Sequence, residues 1–216
     1  RDLRMSRGLG DVYKRQTPRK ILLNSWEGVY FDINQQGMDQ MMADIASMGG
    51  ELFVMDDGWF GDKYPRKNDS SSLGDWVVDK NKLPNGIEGL LSDAKKHGVK
   101  FGIWIEPEMA NTTSELYEKH PDWVLKASER DVVLGRGGTQ VVLDLANPAV
   151  QDFVFGVVDN LMTSYPEIDY IKWDANMSVQ NHGSQYLTKD NQSHMYIEFH
   201  RGFEKICQRI RAKYPD

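Results

Sequence analysis

Short apolar runs alternate with helical patterns along this chain, and this alternation constrains the fold more than any other feature. Predicted strands cover residues 21–26, 51–55, 99–105, 141–145 and 169–174. Residues 39–48, 87–97, 113–119, 148–162 and 195–211 show the apolar spacing of helices. Strands that are buried on both faces and connected through helices form parallel sheets, so the pattern predicts an α/β protein.

Two α/β architectures fit this alternation, the doubly wound sheet and the (β/α)8 TIM barrel. Polar groups stand at the predicted carboxyl ends of the five strands: Trp26 with Glu27, Asp56 with Asp57, Glu106, Asp144, and Lys172 with Asp174. A barrel collects such ends around one pocket, whereas a doubly wound sheet typically carries a glycine-rich turn after its first strand. The sequence contains no GxGxxG motif. It therefore predicts a TIM barrel, incomplete because only about five of the eight βα units are visible.

The last predicted strand presents three polar side chains to one face. Alternate side chains of a strand share a face, so Lys172, Asp174 and Asn176 point one way and Trp173 points the other. An ammonium group near a carboxylate favours the ionised form, which suits a carboxylate nucleophile at neutral pH. A structural ion pair at the strand end would use the same residues, and this segment alone does not decide between the two.

The composition excludes some classes of partner. A formal charge of −6 and a pI near 5.4 argue against binding to nucleic acid or to an anionic membrane surface. No apolar run approaches the roughly 20 residues that a membrane-spanning helix needs. The single cysteine, Cys207, excludes an internal disulfide framework and permits the cytoplasm, which is the default expectation for localisation.

Acidic residues and tryptophans share the predicted pocket, and this combination favours a sugar as the ligand. Carboxylates accept hydrogen bonds from neighbouring hydroxyls, aromatic rings stack on sugar rings, and glycoside hydrolysis itself uses a pair of carboxyl groups. The tryptophans concerned are Trp26, Trp59, Trp104 and Trp173. The acidic residues lack the spacing of metal ligands and no histidine lies near a strand end, so we expect neither a metal nor another cofactor.

The two ends of the chain predict a domain division. Residues 1–16 are basic and without periodicity, and residues 11–16 (DVYKRQ) resemble a translated sequencing adapter, so we expect a non-native or disordered leader. Residues 17–216 would then form the first five βα units of a catalytic (β/α)8 barrel. Because closure takes eight units, we expect the natural protein to continue past Asp216.

Four motifs in succession give the chain a family resemblance. They are DDGWFG at residues 56–61, GIWIEPEM at 102–109, VVLDL at 141–145 and KWDAN at 172–176. Together they resemble the signatures of the glycoside hydrolase family 36 α-galactosidases, or melibiases. The resemblance extends from about residue 22 to the end of the chain, and it identifies the chain as a central part of that family's catalytic barrel.

This resemblance implies a retaining glycosidase that releases terminal α-linked galactose from oligosaccharides such as melibiose or raffinose. Asp174 would be the nucleophile that forms a covalent glycosyl-enzyme. The substrate-binding residues implied are Asp56, Asp57, Trp104, Arg136, Lys172 and Asn176. Within this set, Asp56 and Asp57 would bind the hydroxyls that distinguish galactose from glucose, and Lys172 would also keep Asp174 ionised.

The resemblance further implies that the general acid/base is an aspartate on a later strand, beyond Asp216, so we expect the chain alone to be a poor catalyst or none. Three alternatives stay open: a raffinose or stachyose synthase, an α-N-acetylgalactosaminidase, and a non-catalytic sugar-binding barrel. The family also implies a homotetramer.

Overall fold

A computed structural model of the protein describes residues 19–180 and 182–215, and it has the predicted α/β architecture. Its strands are β1 (Leu22–Asn24), β2 (Leu52–Met55), β3 (Lys100–Ile105), β4 (Met109–Asn111), β5 (Gln140–Val142) and β6 (Ile168–Trp173). Four of them form a parallel sheet in the order β1-β2-β3-β6. A parallel sheet whose strands are joined through helices is the expected part of a TIM barrel.

Helices connect these strands, and their ends follow local capping rules. They are α1 (Trp26–Val29), α2 (Gln35–Ser47), α3 (Gly86–His97), α4 (Glu115–Lys119), α5 (Pro148–Ser164) and α6 (Met195–Lys213). The side chains of Asn34, Ser114 and Asn147 accept backbone N–H groups in the first turns of α2, α4 and α5. Gly98 ends α3 in the left-handed conformation, with φ of 72°.

The fourth predicted strand, residues 141–145, does not belong to the parallel sheet. Gln140–Val142 forms β5, which pairs antiparallel with β4 in a separate two-stranded sheet. In the main sheet β3 pairs directly with β6, so the described residues contain four barrel strands and not about five. The prediction was wrong because an apolar run rich in valine fits a parallel or an antiparallel sheet equally well. Its partner strand β4 has only three residues and directly follows the turn at Glu106, so the sequence pattern did not reveal it.

Two hydrophobic clusters hold these layers together. The larger one packs β2 and β3 against α2, α3 and α5, and its members include Phe53, Met55, Phe101, Ile103, Met42, Leu90 and Leu161. A smaller cluster joins Val141, Leu143 and Leu145 to Val150 and Val154 of α5 and Ile206 of α6. Because the sheet is anchored on its helix-covered face, the carboxyl ends of β1, β2, β3 and β6 are fixed along one edge.

The predicted leader, residues 1–16, lies outside the described residues. Within the described part of the chain, no helix is long and apolar enough to cross a membrane.

Candidate active site

Lys172, in β6, points to Asp56, which directly follows β2. The Lys172 ammonium donates to Asp56 Oδ2 over 2.7 Å, and Asn24 Nδ2 at the end of β1 donates to the same oxygen over 2.7 Å. The Asp56 carboxylate is buried while the Lys172 side chain remains about one third exposed. Strands β1, β2 and β6 thus contribute to one polar cluster, as the rule for parallel strand ends predicts.

Asp174, which directly follows β6, is held as an ionised carboxylate. Trp104 Nε1 donates to Asp174 Oδ2 over 3.1 Å, and the backbone N–H of Ala175 donates to Oδ1 over 3.2 Å. Burial acts to raise the pKa of Asp174, but hydrogen bonds from Asn176, Trp104 and Ala175, together with the charge of Lys172, hold the pKa below its ordinary value. The sequence predicted Lys172 as the main partner; in the structure its ammonium pairs with Asp56 and acts on Asp174 through its charge.

The position of Asp56 depends on two residues that the sequence analysis missed. Ser25 Oγ accepts the backbone N–H of Asp56 over 2.9 Å, and Ser25 is fully buried. Asn24 Oδ1 accepts the N–H of Trp26 over 2.8 Å while its amide nitrogen binds Asp56. The prediction placed Trp26 and Glu27 at this strand end, but the polar group that reaches the cluster is Asn24. Its position inside an apolar run was the available signal.

Asp57 forms a buried pair with Arg66, a residue that the sequence analysis did not single out. Arg66 Nε and Nη2 donate to the two carboxylate oxygens of Asp57 over 2.9 and 2.7 Å. Arg66 is 1% exposed, and its Nη1 also donates to Asn111 Oδ1 over 3.0 Å. The guanidinium lies 5.2 Å from the centre of the Phe31 ring. This bidentate geometry fixes the plane of the Asp57 carboxylate.

Arg136, the predicted further sugar contact, lies in a short 3-10 helix before β5 and is largely exposed. Its Nη1 is 3.6 Å from Asp69 Oδ1, and the same oxygen is 3.6 Å from Arg66 Nη2. Arg136 is therefore connected to the pair of Arg66 and Asp57 through Asp69.

Two buried glutamates after β3 face the segment that carries Asp174. The backbone N–H of Asn176 donates to Glu106, and Trp173 Nε1 donates to Glu108 Oε2 over 2.6 Å. Burial, and less strongly the charge of the nearby Asp174 carboxylate, raise the pKa of Glu106 to about 7 against the opposing hydrogen bonds from Asn176. Burial likewise raises the pKa of Glu108 to about 8. Near neutral pH, this edge of the sheet therefore combines the ionised Asp174 carboxylate with Glu106, which is about half protonated, and Glu108, which mostly keeps its proton.

The predicted tryptophans have different positions. Trp59 is completely buried and donates its indole N–H to the Trp104 carbonyl over 3.0 Å, so it belongs to the core. Trp173 points away from the cluster, as alternation predicted, and packs against hydrophobic residues. Trp104 is 2% exposed but reaches Asp174 with its indole N–H. Among the four, Trp104 therefore contacts the predicted nucleophile directly.

Asp144, another predicted strand-end residue, lies apart from this cluster. Ser184 Oγ and the backbone N–H of Ala146 donate to its carboxylate, which is completely buried. In the part of the chain that the structure describes, no group of three or more His, Cys, Asp or Glu side chains has the arrangement of a metal site. The cluster around Asp56 and Asp174 presents carboxylates, an ammonium group and an indole hydrogen-bond donor.

Comparison with known proteins gives the same family as the motifs. Residues 5–216 match the family model described as Melibiase. The chain is 40% identical to α-galactosidase AgaA of Geobacillus stearothermophilus over 93% of its length, and 39% identical to α-galactosidase C of Emericella nidulans over 98%. A crystal structure of a Geobacillus stearothermophilus AgaA variant of glycoside hydrolase family 36 with raffinose superimposes with a TM-score of 0.84, at 40% identity over 91% of this chain.

The chain spans only 27–29% of the length of these two relatives and 27% of the AgaA chain in that crystal structure. The family match covers nearly all of this chain, and the parallel sheet superimposes on a glycoside hydrolase family 36 enzyme. The chain therefore belongs to the melibiase family, the α-galactosidases of glycoside hydrolase family 36, and its sheet is part of their TIM barrel.

Proposed function

We propose that this chain carries the nucleophile half of a retaining α-galactosidase active site. The observation that carries the proposal is the state of Asp174 at the carboxyl end of β6. Its carboxylate has a lowered pKa, accepts the Trp104 indole N–H and lies near the Lys172 charge. A carboxylate that remains ionised at neutral pH is what a glycosyl-enzyme mechanism requires.

In the proposed reaction, an oxygen of Asp174 attacks the anomeric carbon of the terminal galactose. A C–O bond forms to the enzyme, the glycosidic C–O bond breaks, and a general acid gives its proton to the departing oxygen. Water then attacks the same carbon, gives a proton to the general base and releases Asp174. Retaining enzymes need the second carboxyl about 5–5.5 Å from the nucleophile. By family resemblance we assign that group to a later strand, so the 216-residue chain alone would not turn over unactivated substrates.

The remaining residues of the cluster would bind and orient the sugar. Lys172 uses one donor on Asp56 and keeps further N–H groups for a hydroxyl. Asp56 and Asp57 would accept from sugar hydroxyls, and their hydrogen bonds to Lys172 and Arg66 fix the directions of their free lone pairs. Arg136 and Asn176 would add contacts from the surrounding loops. A raffinose complex of a relative supports α-galactosides as the substrate class.

The test compares the 216-residue chain with the full gene product that contains it. Both would be incubated with raffinose, p-nitrophenyl α-galactoside and p-nitrophenyl β-galactoside, and free galactose would be measured. We expect the full gene product to release galactose from both α-galactosides, and its Asp174→Asn variant to lose this activity while keeping its fold. Transfer of galactose to sucrose in preference to water would instead indicate a synthase. Galactose binding without any bond cleavage would indicate a sugar-binding barrel.

A further inference from the structure

The last residue of β3 and the turn that follows it contact the segment after β6 at two successive points of its backbone. The N–H of Asp174 donates to the carbonyl of Ile105 over 2.9 Å, which extends the sheet pairing by one residue. The N–H of Asn176 then donates to Glu106 Oε1 over 2.5 Å, after the ladder has ended. The Glu106 carboxyl group therefore accepts the hydrogen bond that a backbone carbonyl would accept in a continued strand. It holds the backbone at Asn176, two residues after Asp174.

Glu106 is an unusual residue to find in such a position. It is 1% exposed, and removing a carboxyl group from water is unfavourable unless it is protonated or well paired. Its charged neighbours increase this cost, because the carboxylates of Asp174 and Asp57 both raise its pKa. A turn that served only to end β3 would not require a buried carboxyl group whose pKa is raised by two neighbouring carboxylates. Accepting the Asn176 N–H is a specific role that explains a carboxyl group at position 106.

The other end of the same turn provides a contrast. Glu108 accepts from Trp173, whose ring packs into the hydrophobic clusters on the opposite face of β6 from Asp174. Glu106 instead accepts a backbone N–H two residues beyond Asp174. The two contacts hold the chain on both sides of Asp174, at the Trp173 side chain before it and at the Asn176 backbone after it.

We propose that Glu106 is a positioning residue that fixes the orientation of the Asp174 nucleophile by holding the Asn176 backbone. This inference rests on the proposed function, because the orientation of the Asp174 carboxylate matters in this way only if Asp174 is the nucleophile. With the Asp174 N–H bound to Ile105 and the Asn176 N–H bound to Glu106, the Asp174 carboxylate retains its hydrogen bond to Trp104. Asn176, the predicted substrate contact, is held by the same bond.

The test uses the full gene product with Glu106→Gln and Glu106→Ala, and Asp144→Asn as the matched control. Asp144 is an equally buried carboxyl, but its partners are Ser184 and Ala146. The amount of adduct formed with a 2-fluorinated α-galactosyl fluoride gives the fraction of protein molecules whose active site can react. The presteady-state rate of p-nitrophenyl α-galactoside cleavage, divided by that fraction, gives the glycosylation rate per active site. Glutamine retains the acceptor oxygen, so its rate should stay close to wild type. Alanine removes the acceptor, and we expect the rate per site to fall about 100-fold, the effect of a misplacement near 1 Å.

Each other outcome overturns the proposal. An Ala variant with fewer competent sites but a normal rate per site would show that Glu106 only stabilises the fold. Loss of raffinose turnover in Glu106→Gln, with full activity on the aryl galactoside, would make Glu106 a proton donor instead.

If wild-type protein forms no adduct, the proposed function fails. Amide hydrogen exchange of the peptide containing Asn176 then still tests the contact between Glu106 and the Asn176 N–H. Exchange there should accelerate in the Ala variant and remain slow in the Gln variant, and equal exchange in all variants would refute the positioning role.

Discussion

Replacing Glu106 by glutamine should make the protein more stable at alkaline pH. The pKa of this buried carboxyl is raised from its ordinary value of 4.5 to about 7, so the folded protein keeps a proton that the unfolded chain releases. Stability therefore falls as the pH rises from about 4.5 to about 7 and is level above that range. The shift corresponds to about 3 kcal/mol of unfolding free energy, since one pKa unit is about 1.4 kcal/mol.

The assay is the apparent Tm of wild-type and Glu106→Gln protein between pH 4.5 and pH 8.5. Glutamine does not ionise, so the variant should melt about 6–12 °C above wild type at pH 8, and this difference should vanish near pH 4.5. Asp131→Asn, which changes an exposed carboxyl group, controls for general effects of charge. A difference in Tm that does not change with pH would refute the reasoning, because Glu106 would then ionise in the folded protein as it does in the unfolded chain.

Two further variants test other contacts of the site. Trp104→Phe removes the indole donor to Asp174, so the pKa of Asp174 should rise: we expect the acidic limb of the kcat/KM profile to move to higher pH and the rate at the optimum to fall about 10-fold or more. An unmoved limb would contradict this assignment. Arg66→Met leaves Asp57 buried without its cation and should destabilise the protein by about 3–5 kcal/mol. Adding Asp57→Asn should recover part of that loss in Tm measurements, and equal Tm values for the single and double variants would show that the ion pair is unimportant.

The strand-end residues of the site were predictable because they depend on local pattern and sheet geometry alone. Apolar runs identify buried strands, and parallel strands bring their carboxyl ends to one edge. Asp56, Lys172 and Asp174 therefore come together as expected, and Trp173 turns away from them. The particular pairing was less predictable. Lys172 is nearest to Asp174 in sequence, but the β2 end places Asp56 within reach of its ammonium.

Arg66 shows what sequence reasoning could not supply. It lies in the long polar segment after β2, where a basic residue normally faces solvent. Its burial depends on that segment folding back over the Phe31 and Phe60 rings and presenting Asn111 and Asp57 to the guanidinium. Phe31 and Asn111 are distant from Arg66 in the chain, and no local pattern encodes their contacts with it.

Lys82 is a second residue of this kind. Its ammonium donates to the carbonyls of Phe31, Gly58 and Arg66 over 2.7 to 2.8 Å. It thereby joins the loop after α1 to two points of the segment after β2. No sequence pattern predicts that the Lys82 ammonium is surrounded by backbone carbonyls. Its role follows only from the way the loops pack together.

The identity of the nucleophile is the central claim, and trapping it is the most direct measurement. The full gene product would be incubated with a 2-fluorinated α-galactosyl fluoride, whose leaving group needs little acid assistance, and then analysed by intact and peptide mass spectrometry. We predict one stable galactosyl adduct on the peptide that contains Asp174, and none in the Asp174→Asn variant. An adduct on another carboxylate, or no adduct on folded protein that still binds galactose, would contradict the account.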